Sequence, residues 1–318
     1  MPQPSTSPAS WTPEGFERYR ERYPNTPEFA HPDPAPTERF ISIWREFQGS
    51  DGQWPIQRRT QMTEALRNTT FVLIRGFLGN WMPGNFISTC RTLRTMGLDA
   101  FIAKNSAGAT TEDNARSITR QIQQRVPATN RLVFLGHSKG GLESLQIAAD
   151  PILRPRVRAI VMAQTPRGAS AVMESLLLRR HQASLAGFRR VWAERLQRFG
   201  LRMIRVEKGG REITTEGLKA VIERLDAIAH PFALLQTASW STQPTAWLDS
   251  FHERLGEIRP GCAHDGQFYL EDLIWPGVPH VLLPHVDHAQ PAMGGFGFNP
   301  AQYWLSAITL LVEEQLHG

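Results

Sequence analysis

Residues 136–141 read Gly-His-Ser-Lys-Gly-Gly, directly after the apolar run RLVFLG and directly before GLESLQIAAD, which has helical texture. Where a strand must turn abruptly into a helix, side chains at the positions of Gly136 and Gly140 would collide. The strained turn then holds the hydroxyl of Ser138 out above the sheet. A serine hydroxyl is a poor nucleophile until a base removes its proton, and that base needs a carboxylate to orient it. The chemistry these residue types could perform is therefore attack on an acyl carbon through a serine-bound acyl intermediate, provided that an acid and a histidine follow.

Both follow in residues 264–292, HDGQFYLEDLIWPGVPHVLLPHVDHAQPA. Asp265 precedes Gly266 and suits an acid on a tight turn, with Asp249 and Asp272 as weaker rivals. His288 lies beyond the last apolar run, in a loop that can carry it over the sheet edge toward Ser138. His280 and His285 compete with it, although His285 stands at the run's end, where a packed or surface histidine is expected. Asp287 adjoins the histidine and points elsewhere along the chain, as a hydrogen-bonding residue would. The charge that develops on the attacked oxygen needs backbone N–H donors fixed in advance. One is expected from Lys139 and the other from Phe77, which follows Gly76 in IRGFLGNW. Leu78 and His137 flank these positions and are expected at the substrate pocket.

Stepping outward, short apolar runs alternate with amphipathic segments from Phe71 onward, the pattern of βαβ units building a parallel sheet. Strands are expected at 71–76, 98–103, 131–136, 157–164, 232–238 and 280–285, with helices near 84–96, 111–125, 139–149 and 300–316. The fold class predicted is α/β, a mostly parallel sheet of about six strands with helices on both faces. Residues 170–230 break the alternation. They carry ten arginines against seven acidic residues and read as two or three amphipathic helices with a turn at Gly209 and Gly210. Such an insertion would stand over the strand ends as a cap, with Phe188 and Trp192 among the apolar residues able to line a pocket.

Residues 1–37 hold nine of the 23 prolines, a density that excludes long helices and central strands. Aromatics at Trp11, Phe16, Tyr19, Tyr23 and Phe29 favour an extended arm wrapped onto the body over disorder. Phe40, Ile43, Trp44 and Phe47 share one helical face, so a short helix is expected at 38–48. The domain reading is thus a Pro-rich arm with a short helix over 1–70 and a main domain over 71–318, with the cap inserted at about 170–230.

The chain has 318 residues, 41% hydrophobic and 20% charged, enough for a sizeable core. Net charge is +5, but basic residues are scattered among acidic ones and only four of the 35 are lysine. No nucleic-acid partner is expected. Cys90 and Cys262 lie far apart and outside any ligand spacing, so neither a disulfide framework nor a metal site is expected. The N-terminal stretch lacks a positive start followed by an apolar run, and no apolar run is long enough to span a bilayer, which together point to a soluble cytoplasmic protein.

Residues 71–168 and 260–293 resemble the bacterial triacylglycerol lipase and esterase branch of the α/β-hydrolases. The likeness lies in the RGFLGN loop, the GHSKGG elbow, the AQTPRGA segment at 163–169, the HDG turn and the VDHAQ loop. It implies Ser138, Asp265 and His288 as a catalytic triad in that chain order, with no cofactor. Arg75 stands where the family's oxyanion loop usually has histidine. Gln290 stands where secreted relatives carry a calcium-binding acid, so calcium is not expected. Cleavage of a small-molecule or lipid carboxylic ester is the activity implied. Thioester hydrolysis, polyester depolymerisation and acyl transfer use the same triad. A non-enzymatic protein binding a partner through the basic cap and Pro-rich arm is a further alternative. The Arg-rich cap could also touch membrane lipid peripherally, and no particular protein partner is implied.

Overall fold

The apolar run ahead of RGFLGN forms strand β1 (Thr69–Ile74), buried along its whole length. In this computed structural model, which describes residues 15–29, 33–47, 54–82, 84–178, 207–227, 231–241 and 249–315, Phe71 and Leu73 point into one core cluster and Val72 and Ile74 into another. A strand covered by helices on both faces reads as a continuous apolar run for this reason. The other strands are β2 (Asp99–Ile102), β3 (Arg131–His137), β4 (Val157–Ala163), β5 (Ala233–Trp240) and β6 (His280–Pro284). They form one six-stranded sheet in the order β2-β1-β3-β4-β5-β6, with every neighbouring pair parallel.

The chain leaves β1 for β2 on one side and then crosses to β3 on the other, so the order reverses between β1 and β3. In open α/β sheets the crevice at such a reversal, beyond the carboxyl ends of the strands, is where a ligand is held. The RGFLGN loop leaves β1 at that point, and GHSKGG leaves β3.

Helices precede and cover the sheet: α1 (Gly15–Arg22), α2 (Ala35–Glu46), α3 (Ile56–Ala65), α4 (Ile87–Thr95), α5 (Thr111–Arg125), α6 (Lys139–Ala148), α7 (Thr215–Asp226), α8 (Asp249–Ile258) and α9 (Pro300–Gln315). The core under α2, α4 and α9 lies on one face; α5, α6 and α7 cover the other. Thr110 caps α5, its hydroxyl accepting from Asp113 N at 3.0 Å. Helix α4 starts at Ile87 rather than 84 because Phe86 holds a left-handed φ of 63° just before it.

The described part of the Pro-rich stretch is helical rather than extended, because its prolines sit where helices tolerate them. Pro36 lies in the first turn of α2 and Pro55 caps α3. Helix α2 buries Phe40, Ile41, Ile43 and Trp44. Thr37 accepts the Leu282 N–H of the edge strand β6 at 2.9 Å, which occupies one donor that the edge would otherwise present. Gly209 and Gly210 are buried inside the short helix Glu207–Arg211 rather than forming a turn between helices. A Cβ on Gly209 would stand 2.0 Å from the Ala107 carbonyl, so this segment packs backbone to backbone on the loop after β2. Among the described residues no helix is long and apolar enough to cross a membrane.

Candidate active site

Ser138 has φ 54° and ψ −128°, between β3 and the first residue of α6. The flanking glycines are required by contact. A Cβ on Gly136 would lie 2.6 Å from Gly141 Cα, and one on Gly140 would lie 2.2 Å from the Ile74 carbonyl of β1. The elbow is thus wedged against its own helix and against the neighbouring strand, which leaves the Ser138 side chain facing the crevice between β1 and β3. Lys139 N, at the first position of α6, has no intrahelical acceptor. Phe77 lies across the crevice, held by the turn in which Gly79 N donates to Gly76 O at 3.0 Å.

Asp265 and His288 meet. The Asp265 carboxylate is fully buried, its Oδ2 2.7 Å from His288 Nδ1. Its Oδ1 accepts from Gln267 N and Phe268 N, each at 2.8 Å. His288 N in turn donates to Asp265 O at 2.8 Å, so backbone and side chain both register the two loops. With Nδ1 taken by the carboxylate, Nε2 is the ring nitrogen left for chemistry. Among the described residues neither Ser138 Oγ nor His288 Nε2 has a hydrogen-bond partner, and both residues line one cavity.

The rival histidines are otherwise engaged. His285 Nε2 pairs with Tyr19 Oη of α1 at 3.0 Å. His280 Nε2 accepts from Trp275 N at 2.8 Å, and burial pushes its pKa down to about 4. Asp287 Oδ1 accepts from Ala289 N and Gln290 N, shaping the turn that carries His288. Gln290 closes this turn by accepting from Asp287 N at 2.8 Å. Asp272 lies beside the TPRGA segment, where its carbonyl accepts from Arg167 N and Gly168 N.

Two side-chain networks around the elbow escaped the sequence reading, although His137 and Lys139 were singled out for other roles. His137 Nε2 lies 2.6 Å from the His288 carbonyl and 3.2 Å from Gln164 Oε1. Burial, and secondarily the neighbouring His288, lower its pKa to about 3, so its ring is neutral and Nε2–H donates. Gln164, at φ 50° and fully buried, also donates from Nε2 to the Asp287 carbonyl at 2.9 Å. These two residues tie the elbow to the histidine loop across four strands of chain order. The second set surrounds Lys139, whose Nζ is 3.0 Å from Ala109 O, 3.2 Å from Glu143 Oε1 and 3.2 Å from Glu212 Oε2. Glu143 also accepts from Asn105 Nδ2 and Asn114 Nδ2, at 2.9 and 2.7 Å. The i,i+4 spacing of Lys139 and Glu143 was the only sequence sign of this network.

The cavity holds about 350 Å³. Leu78 and His137 line it beside Gly76 and Phe77, together with Met173, Leu176 and Ile213 from the 170–230 region, and Asn85, Phe268 and Met293, which no pattern singled out. Phe188 and Trp192 lie outside the described residues.

No protein-family model matches this chain, and no curated protein does. Solved structures do. A metagenomic carboxyl esterase superposes with a TM-score of 0.58 at 18% identity, over 78% of this chain and 76% of the other. The Bacillus licheniformis lipase BlEst2 in its mature form gives 0.55 at 15% identity, over 76% and 91%. The Legionella pneumophila phospholipase PlaB gives 0.55 at 8% identity, over 77% and 62%. A parallel six-stranded sheet with helices on both faces, shared with such neighbours at such low identity, identifies the architecture: this chain has the α/β-hydrolase fold.

Proposed function

We propose that the protein hydrolyses carboxylic esters, with Ser138 as nucleophile, His288 as base and Asp265 as the group that orients it. The observation that carries this reading is the 2.7 Å bond from Asp265 to His288 Nδ1, which leaves the opposite ring nitrogen for the cavity that Ser138 also lines. In the reaction His288 Nε2 takes the Ser138 proton as Oγ attacks the carbonyl carbon. The oxyanion that forms accepts from Phe77 N–H and Lys139 N–H. The imidazolium then protonates the leaving alkoxide, and water attacks the acyl-serine by the same steps in reverse roles. The hydrogen bond between serine and base forms when substrate is bound, since such bonds are often long or absent in the free site.

The largely apolar cavity suits an ester whose carbon chain is neutral. The described parts of the 170–230 region contribute to a cap over it, since Met173, Leu176 and Ile213 line its wall. Ser138→Ala should abolish turnover of a short p-nitrophenyl ester, a loss of about three orders of magnitude or more. It should also abolish labelling by a fluorophosphonate probe, with the melting temperature unchanged. Equal turnover by the variant would exclude the reading.

A further inference from the structure

Asn85 is the polar anomaly of the cavity. It is only 2% exposed, lines the cavity, and its Oδ1 is buried without a hydrogen-bond partner. Its Nδ2 makes no hydrogen bond to a described residue either. The rest of Asn85 is firmly held. Its carbonyl accepts from Arg75 Nε at 3.3 Å, its N–H donates to Met82 O at 3.4 Å, and the next residue, Phe86, donates from N to Ala292 O at 2.9 Å. The amide nests against the oxyanion loop, where a Cβ on Gly79 would come within 3.1 Å of Nδ2. The cavity it lines is otherwise mostly apolar, with His137, Ser138, Gln267 and His288 as its other polar side chains, and none of these is hydrogen-bonded to the Asn85 amide.

An amide held this rigidly, with no protein partner for its side-chain oxygen, must find its hydrogen bonds with whatever fills the cavity, and a polar group left unmatched there is costly. The feature makes sense if the missing partner arrives with the substrate. We propose that Asn85 is a specificity-determining residue, and that the ester taken by this cavity carries a hydroxyl or carbonyl oxygen on its carbon chain, which the Asn85 amide reads. The inference rests on the ester-hydrolase reading above. A site built to pair with a substrate oxygen discriminates against the analogue lacking it, because the buried amide then stays unpaired. The oxygen could be borne by the acyl or by the alcohol part, and the same amide chemistry serves either.

The test compares two matched pairs of esters on the full chain. p-Nitrophenyl butyrate against p-nitrophenyl 3-hydroxybutyrate probes the acyl side, and propyl butyrate against 3-hydroxypropyl butyrate probes the alcohol side. In the unaltered protein kcat/KM should favour the oxygenated member of one pair by about tenfold. In Asn85→Leu and Asn85→Ala that ratio should collapse toward one, whatever the absolute rate on the plain ester, with the melting temperature of at least one variant equal or raised. Ratios near one for both pairs in the unaltered protein, or a ratio unchanged in the variants, would overturn the assignment. So would loss of folding in both variants, which would make the amide structural. Failure to hydrolyse any of the four esters, with Ser138 unlabelled by fluorophosphonate, would instead defeat the underlying hydrolase reading.

Discussion

The Asp265 carboxylate has no freedom left: one oxygen faces His288 Nδ1 and the other takes two backbone N–H groups. An amide in its place must turn either its N–H₂ toward those backbone donors or its N–H₂ toward the histidine. The second choice forces His288 into the tautomer that places the hydrogen on Nε2, where it cannot accept the serine proton. Asp265→Asn should therefore lower kcat by about 10³–10⁴ without raising KM comparably, as such a tautomer error does elsewhere. His288→Ala should match Ser138→Ala, and the double variant should be no worse than either, because the two act as one unit. His285→Ala should keep most activity, since its ring is spent on Tyr19. Steady-state kinetics on one p-nitrophenyl ester decide all four, and a reversed order of His285 and His288 would reassign the base.

At the scale of elements, the elbow works because β1, β3 and α6 meet with no room for another atom. A Cβ on Gly140 would press on the Ile74 carbonyl, which cannot yield without breaking the β1–β3 ladder. Gly140→Ala should cost about 3 kcal/mol of stability. Gly256→Ala, in α8 with open space around the added methyl group, should instead stabilise by about 0.5–1 kcal/mol. Denaturant midpoints of the two variants, measured together, separate close approach from mere glycine content. Through its side chain Lys139, itself in α6, joins that helix to the loop before α5 and the segment holding Glu212. Lys139→Met would leave Glu143 buried without its cation, a loss of about 3–5 kcal/mol. Chemical denaturation checks it, and stability within 1 kcal/mol of the parent, by that same scale, would show the network to be idle.

For the molecule as a whole, buried groups that resist charging set how stability responds to pH. Asp272, whose Oδ2 is buried without a hydrogen bond and 3.9 Å from the Arg259 guanidinium, has its pKa raised to about 7 by burial, which outweighs that cation. Folded, it keeps its proton over a range where the unfolded chain has released it. The stability this group contributes is complete below about pH 4 and is lost as pH rises through about 7. Asp272→Asn removes the titration, so the variant's stability relative to the parent should rise between pH 4 and pH 8, by about 4 kcal/mol. A pH-independent difference would mean that Asp272 is charged in the folded protein. His137, His264 and His280 act in the opposite sense. Burial lowers them to about 3, 4 and 4, so the contribution of each is complete above about pH 6.5 and is lost as pH falls toward those values.

What the sequence determined by itself was whatever depends on neighbours along the chain. Strand and helix are written in apolar spacing, so the six strands appear within a few residues of their expected places. The elbow is written in two glycines around Ser138, because the clash they avoid is local. The candidacy of Asp265 came from the turn-forming Asp-Gly pair. Patterns failed where the reason for a residue lies across the fold. Gln164 bridges β4 to the histidine loop, Glu212 reaches Lys139 over 73 positions, and Asn85 meets the cavity only because the strand order reverses between β1 and β3. The preference for His288 over His285 came from its place in the loop beyond the strand's end, but the partners of the two rings belong to the same class. Only the folded chain turns one toward Tyr19 and the other toward Asp265, since hydrogen bonds between distant residues leave no periodicity behind.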